Sequence, residues 1–449
     1  MKKFVDFPYS NILVLGLAKS GTAAAETLLA NDKKVIVNDM KANENDENVI
    51  YLKKMGAAVI VGSHPISILD GIELIVKNPG IPYENVIVAE ASKLGIPIIT
   101  EIELAFHLTN RPIIGITGSN GKTTTTTLVT KMLKESKRPV QVAGNIGIVA
   151  TETVHSLKEN EVLVLELSSF QLQGIRKFKP TTAILLNIFE AHLDYHKTID
   201  NYKQAKFNIF KNQTKEDYLV YNADDQAITE EVKQAISKLV PFSVKTRMET
   251  GAWADSDYIY FEDEKVIARQ DIVLVGEHNL ENILAAIAAA KLNGATSLGI
   301  RNVLTTFSGV EHRLQFVKKV NGRLFYNDSK ATNILATQKA LGAFTKPTIL
   351  LAGGLDRGNE FTELLPFLRN VKAMVVFGQT ASKLKQLGMD AGIQTIIESE
   401  DVRSAVDSAY SISRVEDVIL LSPACASWDQ YRTFEERGDM FVQAVHKLK

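Results

Sequence analysis

Residues 113–124 read Ile113-Ile114-Gly115-Ile116-Thr117-Gly118-Ser119-Asn120-Gly121-Lys122-Thr123-Thr124, an apolar run and a glycine-rich turn, and they lead into a helix-like segment, Leu128–Leu133. A strand, a Gly-rich turn and a helix opening on Lys-Thr make a phosphate cradle, because loop N–H groups and the helix N-terminus face an anion. Lys122 then sets a point charge on the β/γ-phosphates and the Thr123 hydroxyl can hold magnesium. The residue five before Gly121 is Ile116 and not glycine, so the shorter loop Thr117–Thr123 does the wrapping. The stretch predicts ATP or GTP binding. A Gly/Thr turn without a ligand is the weaker alternative, since the strand before and the helix after both fit.

The 449 residues suggest about three domains, and a hydrophobic share of 45% supplies each with a core. Lys plus Arg number 51 against 52 acidic residues, with neither sign gathered into a tail, so nucleic acid is not an implied partner. A single cysteine, Cys425, excludes an intrachain disulfide and fits a reducing compartment. Its neighbours, Pro423-Ala424 and Ala426, suggest packing rather than reactivity. Asp6, Pro8 and Asn11 interrupt what would be a secretory leader, and no run approaches the ~20 apolar residues of a membrane helix. A cytoplasmic protein without membrane insertion is expected.

Outward from the phosphate loop the rhythm is α/β throughout. In residues 11–100, short runs such as Ile12–Leu15, Val35–Val37 and Leu74–Val76 alternate with helix-like stretches, which argues for a parallel sheet. Its first turn, Gly16-Leu17-Ala18-Lys19-Ser20-Gly21, resembles a dinucleotide fingerprint with Ala18 for the middle glycine, and Asp39 closes the second strand where a carboxylate would meet a ribose hydroxyl. A tight turn without a ligand reads equally well.

In the middle segment, 101–309, the strand Val162–Leu165 ends in Glu166, where a nucleotide-binding sheet places a magnesium ligand. A loop follows with His192, Asp194 and His196, read either as a metal or phosphate site or as a polar loop with a helix cap at Asp200. Lys206, in the stretch after it, reads as a solvated surface lysine. Asn279 and Asn282 lie three apart on one face of an Ala-rich helix, and two amides there could read a purine edge. The last segment, 310–449, repeats the strand–helix alternation, with polar loops after most strands.

The motifs TGSNGKTT, ELSSFQL, HLD with Lys206 downstream, HNLEN, EHRLQ, NDSKATN and LLSPACASWDQ occur together and in order. This set resembles the Mur ligases, the ATP-dependent amide-forming enzymes of peptidoglycan precursor synthesis, and most closely their D-glutamate-adding branch. The resemblance implies an α/β chain of three domains: a Rossmann-like domain for the UDP-substrate over 1–100, a central P-loop-type ATPase domain over 101–309 and a Rossmann-like amino-acid-binding domain over 310–449. It implies a monomer and the substrates ATP, UDP-N-acetylmuramoyl-L-alanine and D-glutamate, joined through an acyl phosphate.

By the same resemblance Gly118, Ser119, Asn120, Gly121, Lys122, Thr123 and Thr124 hold the phosphates. Two magnesium ions are implied, with Thr123 and Glu166 on one and His192 on the other, and Lys206 carries a carbamate that orients metal. Asn279 and Asn282 would meet adenine, while Arg313, Asp328 and Lys330 reach ATP from the third domain. Lys122, Glu166, His192, Lys206 and Lys330 form the implied catalytic set. Ser20, Asp39, Asn145, Ser168 and Gln171 would meet the UDP-substrate. Thr332, Arg357, Ser427 and Phe434 would meet D-glutamate, with Arg357 in place of the lysine of some relatives; it can grip a carboxylate with two parallel bonds.

Three rivals stand beside this reading. A sister ligase, another Mur ligase or one of the folylpolyglutamate type, would share the ATPase core; the Mur ligase that adds a diamino acid lacks support because no Asp-Asn-Pro-Arg motif occurs, the folylpolyglutamate type because residues 11–100 supply a Rossmann-like domain. A non-catalytic nucleotide switch has no use for Glu166, His192 and Lys206 together. An NAD-dependent oxidoreductase is disfavoured by the altered glycine turn.

Overall fold

The apolar runs fold as short strands buried on both faces, as parallel sheets covered by helices require. The computed structural model describes residues 2–274 and 276–448. The chain divides into two compact units, Met1–Asp271 with Leu280–Val303, and Ile272–Asn279 with Leu304–Lys449. Among the described residues the strands form three sheets, so the α/β expectation holds.

The first unit carries two of the sheets. One is wholly parallel, in the order Ala58–Val61, Lys34–Asp39, Asn11–Leu15, Leu74–Lys77, Ile98–Ile99. The other runs Val140–Gly144, Val162–Glu166, Ile113–Thr117, Thr182–Leu185, Tyr218–Asn222, Lys238–Ser243 and Ala252–Ala254 in parallel, then adds Tyr258–Phe261 and Glu264–Ala268 antiparallel. Within it the strand before the phosphate loop lies between two neighbours. Ile116 pairs with Glu166 and Thr117 with Leu185, so the loop leaves the sheet beside the carboxyl ends of both. In the second unit an antiparallel edge strand, Gln315–Val320, pairs with Arg323–Asn327, and the parallel strands Val418–Leu421, Thr348–Gly353, Val371–Phe377 and Thr395–Glu398 follow.

Three local expectations are corrected. The segment after His192 is a short helix, Leu193–His196, rather than a loop. The next helix, Ile199–Phe207, is capped by Thr198 and not by Asp200, because the extended Thr198 backbone lets its hydroxyl accept from Asn201 N–H. Lys206 on that helix is 1% exposed, so it is no surface lysine: the helix face that carries it packs against the phosphate loop.

The two sheets of the first unit are joined through the helix Glu101–His107. The Glu103 carboxylate accepts from the backbone N–H groups of Arg176, Lys177 and Phe178 at 2.9, 2.6 and 2.9 Å and lies 3.5 Å from His107. Burial pushes this carboxyl up, but His107 and the three N–H groups outweigh it and hold it below its ordinary value. A depressed carboxyl stabilises the fold above its unfolded value, and that contribution is lost as pH falls through the folded value. Glu103→Gln should therefore cost about 2–4 kcal/mol at pH 7 and progressively less below pH 4, read as the difference in urea unfolding between the two proteins; an equal cost at all pH values would contradict the assignment.

Candidate active site

The phosphate loop is built by backbone that only glycine adopts readily. Gly118 has φ of 155° and Gly121 of 81°. A Cβ on Gly121 would lie 2.0 Å from Asn282 Oδ1, and one on Gly118 would lie 2.8 Å from Leu186 Cβ. Asn187, at the end of the neighbouring strand, pins the turn: its carbonyl accepts from Ser119 N–H and its Oδ1 from Asn120 N–H, both at 2.9 Å. The helix Lys122–Glu135 starts there, with Thr123 and Thr124 in its first turn.

Two lysines meet the same loop oxygen. Lys122 Nζ donates to the carbonyls of Gly118 and Ser119 at 2.7 and 2.9 Å, and Lys206 Nζ donates to Gly118 at 2.8 Å. Lys206 also lies 4.8 Å from the Tyr202 ring, whose hydroxyl meets Ser119 Oγ at 2.8 Å. Burial, with Lys122 adding to it, pushes the Lys206 amine well below the ordinary lysine range.

Glu166 is 2% exposed; its Oε1 accepts from Asn145 Nδ2 at 2.9 Å, whereas Oε2 is buried with no hydrogen-bond partner. His192 stands in the left-handed region at φ of 55°. Burial and then Lys206 lower its imidazole below the ordinary histidine range. Asn279 and Asn282 are both buried on the helix Glu277–Leu292.

A cavity of about 420 Å³ opens between the two sheets of this unit, lined by Ser20, Asn78, Asn145, Ser168, Phe170 and Gln171 among others. Ser168 and Gln171 lock each other in a capping box, and Asn78 Nδ2 donates to Ser20 Oγ at 3.2 Å. Asp39 lies in a second depression with Leu17 and Lys41. Its carboxylate is already engaged by the N–H groups of Leu17, Lys41 and Ala42 at 2.7, 2.7 and 3.0 Å. Burial pushes that carboxyl up, but those bonds and His64 prevail and lower it.

In the second unit most of the predicted residues sit on loops near the carboxyl ends of the parallel strands, whereas Phe434 opens the helix Phe434–Lys447. Arg437, 0% exposed, donates to Ser329 Oγ and O, Gly353 O and Cys425 O at 3.0, 2.9, 3.3 and 3.0 Å and so ties three of these loops together. On them, Asp328 accepts from Ser422 Oγ and Leu314 N–H, and burial pushes its carboxyl up to about 7. Lys330 Nζ lies 5.2 Å from the Phe434 ring, and Thr332 N–H bonds Lys330 O. Ser427 is buried with an unpartnered hydroxyl, the exposed Arg357 guanidinium stacks 4.9 Å from Trp428, and Arg313 is exposed.

Three family profiles match in succession: "Mur ligase MurD-like, N-terminal domain" over residues 10–100, "Mur ligase middle domain" over 116–290 and "Mur ligase, glutamate ligase domain" over 312–425. The UDP-N-acetylmuramoylalanine–D-glutamate ligase of Oceanobacillus iheyensis is 63% identical over 449 residues, covering 100% of both chains. The chain belongs to the Mur ligase family. The like-named ligase of Bacillus subtilis is 53% identical, covering 98% of each chain. Two solved structures share the fold: a Thermotoga maritima MurF ligase in complex with ADP, with TM-score 0.56 at 18% identity over 99% of this chain and 98% of that one, and the UDP-N-acetylmuramate-alanine ligase MurC of the same organism, with TM-score 0.55 at 19% identity over 98% and 100%.

The three-domain α/β architecture expected of a Mur ligase is thus present. Within the first unit the structure gathers Gly118, Lys122, Glu166, Lys206 and Asn282 around one loop, and Asn145 links that group to the cavity of Ser20, Ser168 and Gln171. Sequence reasoning missed Asn187, Tyr202 and Arg437. Tyr202 had a signal, four residues before Lys206 and so on the same helix face; Arg437 had none.

The buried Lys206 has a thermodynamic signature. Its folded value lies below its unfolded one, so between them the unfolded chain binds more protons and stability rises with pH. In carbon dioxide-free buffer without nucleotide, the unfolding free energy of the protein minus that of Lys206→Met should climb as pH is raised from 6 to 9; a flat difference would mean that the amine is not desolvated.

Proposed function

We infer that this protein is an ATP-dependent ligase that joins the L-alanyl carboxylate of UDP-N-acetylmuramoyl-L-alanine to the amine of D-glutamate, a step of peptidoglycan precursor synthesis. The observation that carries the reading is the full-length 63% identity to a ligase of that name. Its geometric support is Asn145, which lines the cavity and also holds Glu166 beside the phosphate loop, so an acceptor in the cavity and a nucleotide on the loop would share a wall. The five-stranded sheet of residues 11–99 argues against the folate-type alternative.

A carboxylate does not react with an amine at neutral pH, so the reaction needs a leaving group. A carboxylate oxygen of the substrate attacks the γ-phosphorus of ATP and ADP departs. The amine nitrogen of D-glutamate then attacks the acyl carbon, phosphate leaves, and the nitrogen loses its proton to give the amide. The enzyme's share is positioning and charge compensation.

The residues fit a phosphate chain with a divalent cation: two glycines leave no room for a Cβ, and a carboxylate oxygen is buried without a partner. Gly118, Ser119, Asn120, Gly121, Lys122 and Thr124 would hold the phosphates, with Asn279 and Asn282 at the base. Thr123 and Glu166 would hold one magnesium ion and His192 a second. Bound magnesium would neutralise phosphate charge. For the second ion we assign a carbamate on Lys206. A neutral amine adds CO₂ by forming an N–C bond and releasing a proton, and the depressed Lys206 amine is suited to this.

Ser20, Asp39, Asn145, Ser168 and Gln171 are assigned to the UDP-substrate, although Asp39 would act through the turn it braces rather than by a free oxygen. Arg313, Asp328 and Lys330 are assigned to ATP, and Thr332, Arg357, Ser427 and Phe434 to D-glutamate. No described helix is long and apolar enough to cross a membrane, and we extend the reading to a cytoplasmic monomer with domains over 1–100, 101–309 and 310–449.

Phosphate release from Mg–ATP should require UDP-N-acetylmuramoyl-L-alanine and D-glutamate together, and L-alanine, L-lysine or meso-diaminopimelate should not replace the latter. Release with a different amino acid would overturn the specificity. Arg357→Ala should raise KM for D-glutamate about tenfold to a hundredfold, as loss of a charged hydrogen bond does, while KM for ATP stays constant.

A further inference from the structure

We propose that Lys77 and Tyr195 are a positioning pair that couples filling of the substrate cavity to the placement of His192 beside the phosphate loop. The inference rests on the cavity being the UDP-substrate site, as proposed above. Lys77 ends the strand Leu74–Lys77 of the first sheet and is 1% exposed. Its ammonium is surrounded by the carbonyls of Asn78, Pro79 and Ile81 at 3.3, 3.2 and 2.6 Å and by the Tyr195 hydroxyl at 3.0 Å. None of these is a carboxylate. A buried amine without an opposite charge, which burial pushes down to about 7, is a poor way to stabilise a fold, so its placement calls for another account.

The surroundings supply one. Asn78 and Pro79, whose carbonyls help to hold the ammonium, line the cavity together with Gly80. Tyr195 belongs to the other sheet's domain, on the short helix that follows His192. Its hydroxyl accepts from Lys77 and has one proton to donate, with the carbonyls of Pro79 and Ile81 both in reach at 3.2 and 3.1 Å. The Tyr195 ring stands edge-on to Phe170 at 4.5 Å, and Phe170, itself a cavity wall, lies 5.1 Å from the His192 ring. One chain of contacts therefore runs from the cavity loop through Lys77 and Tyr195 to Phe170 and His192. A substrate that presses on residues 78–80 or Phe170 would act on the chain of contacts that ends at His192. Tyr195→Phe keeps the ring against Phe170 and removes only the hydroxyl that ties it to Lys77.

The test is a binding cycle on the full chain, by calorimetry with Mg²⁺ and a non-hydrolysable β,γ-imido analogue of ATP, with and without saturating UDP-N-acetylmuramoyl-L-alanine. In the unaltered protein the filled cavity should tighten the analogue about tenfold, within the usual span of site-to-site coupling. Tyr195→Phe should bind the analogue alone with unchanged affinity but lose most of that tightening, and Lys77→Met should do the same. A variant that melts at lower temperature yet keeps the full tightening would reduce the pair to a structural staple and overturn the proposal. If Lys77→Met does not fold, Tyr195→Phe decides. Substrate binding without coupling in the unaltered protein overturns this inference alone; no binding of the UDP-substrate overturns the proposed function and this inference with it.

Discussion

Two lysine amines bound to one carbonyl oxygen, that of Gly118, are the constraint from which the rest of the site follows. Lys122 arrives from the helix that the loop opens, and Lys206 from a helix more than eighty residues further on. Two like charges at one dipole in a buried place are tolerated only if one gives up its proton or an anion arrives. Burial, with Lys122 adding to it, lowers the Lys206 amine well below the ordinary lysine range. A phosphate chain offers Lys122 a stronger acceptor than a carbonyl, and a carbamate on Lys206 would turn the second cation into an anion. The loop is thus poised for negative charge from two directions.

Buried or half-buried polar hubs, each tying irregular backbone to the fold, recur across the molecule. Glu103 collects three N–H groups at the joint between the first two sheets, Asn187 pins the phosphate loop, Asp39 braces the first turn, and Arg437 gathers three loops of the second unit. Parallel sheets deliver their functional loops at one edge, but such loops have no ladder of their own. A charged or amide side chain with several hydrogen bonds holds each in one conformation, and leaving any of those backbone groups unpaired in the interior would cost more than a surface contact returns.

Much of this was legible in the chain. The strand–turn–helix at 113–124 named a phosphate loop because its signals are local: apolar runs make strands, glycines permit positive φ, and Lys-Thr opens a helix. Glu166 was legible as the end of a strand. His192 stood open between a metal or phosphate site and a polar loop, and the role proposed for Lys206 comes only from the resemblance, since neither spacing nor composition distinguishes a buried lysine from a solvated one. The cap at Thr198 was missed in favour of Asp200 because both residue types cap helices and the choice turns on which backbone is extended.

By itself the sequence determined the α/β class, the order of the elements, the position of the phosphate loop and, through its ordered motifs, the family. Those properties are written in neighbouring residues, where sterics and hydrophobic periodicity act over a few bonds. The tertiary structure decided that Lys206 is buried on the Gly118 carbonyl, that Asn145 shares itself between cavity and carboxylate, that Lys77 meets Tyr195, and that Arg437 holds three loops. Each depends on groups far apart in the chain, and their energies, set by burial and by the few hydrogen bonds available inside, exist only once the sheets have packed.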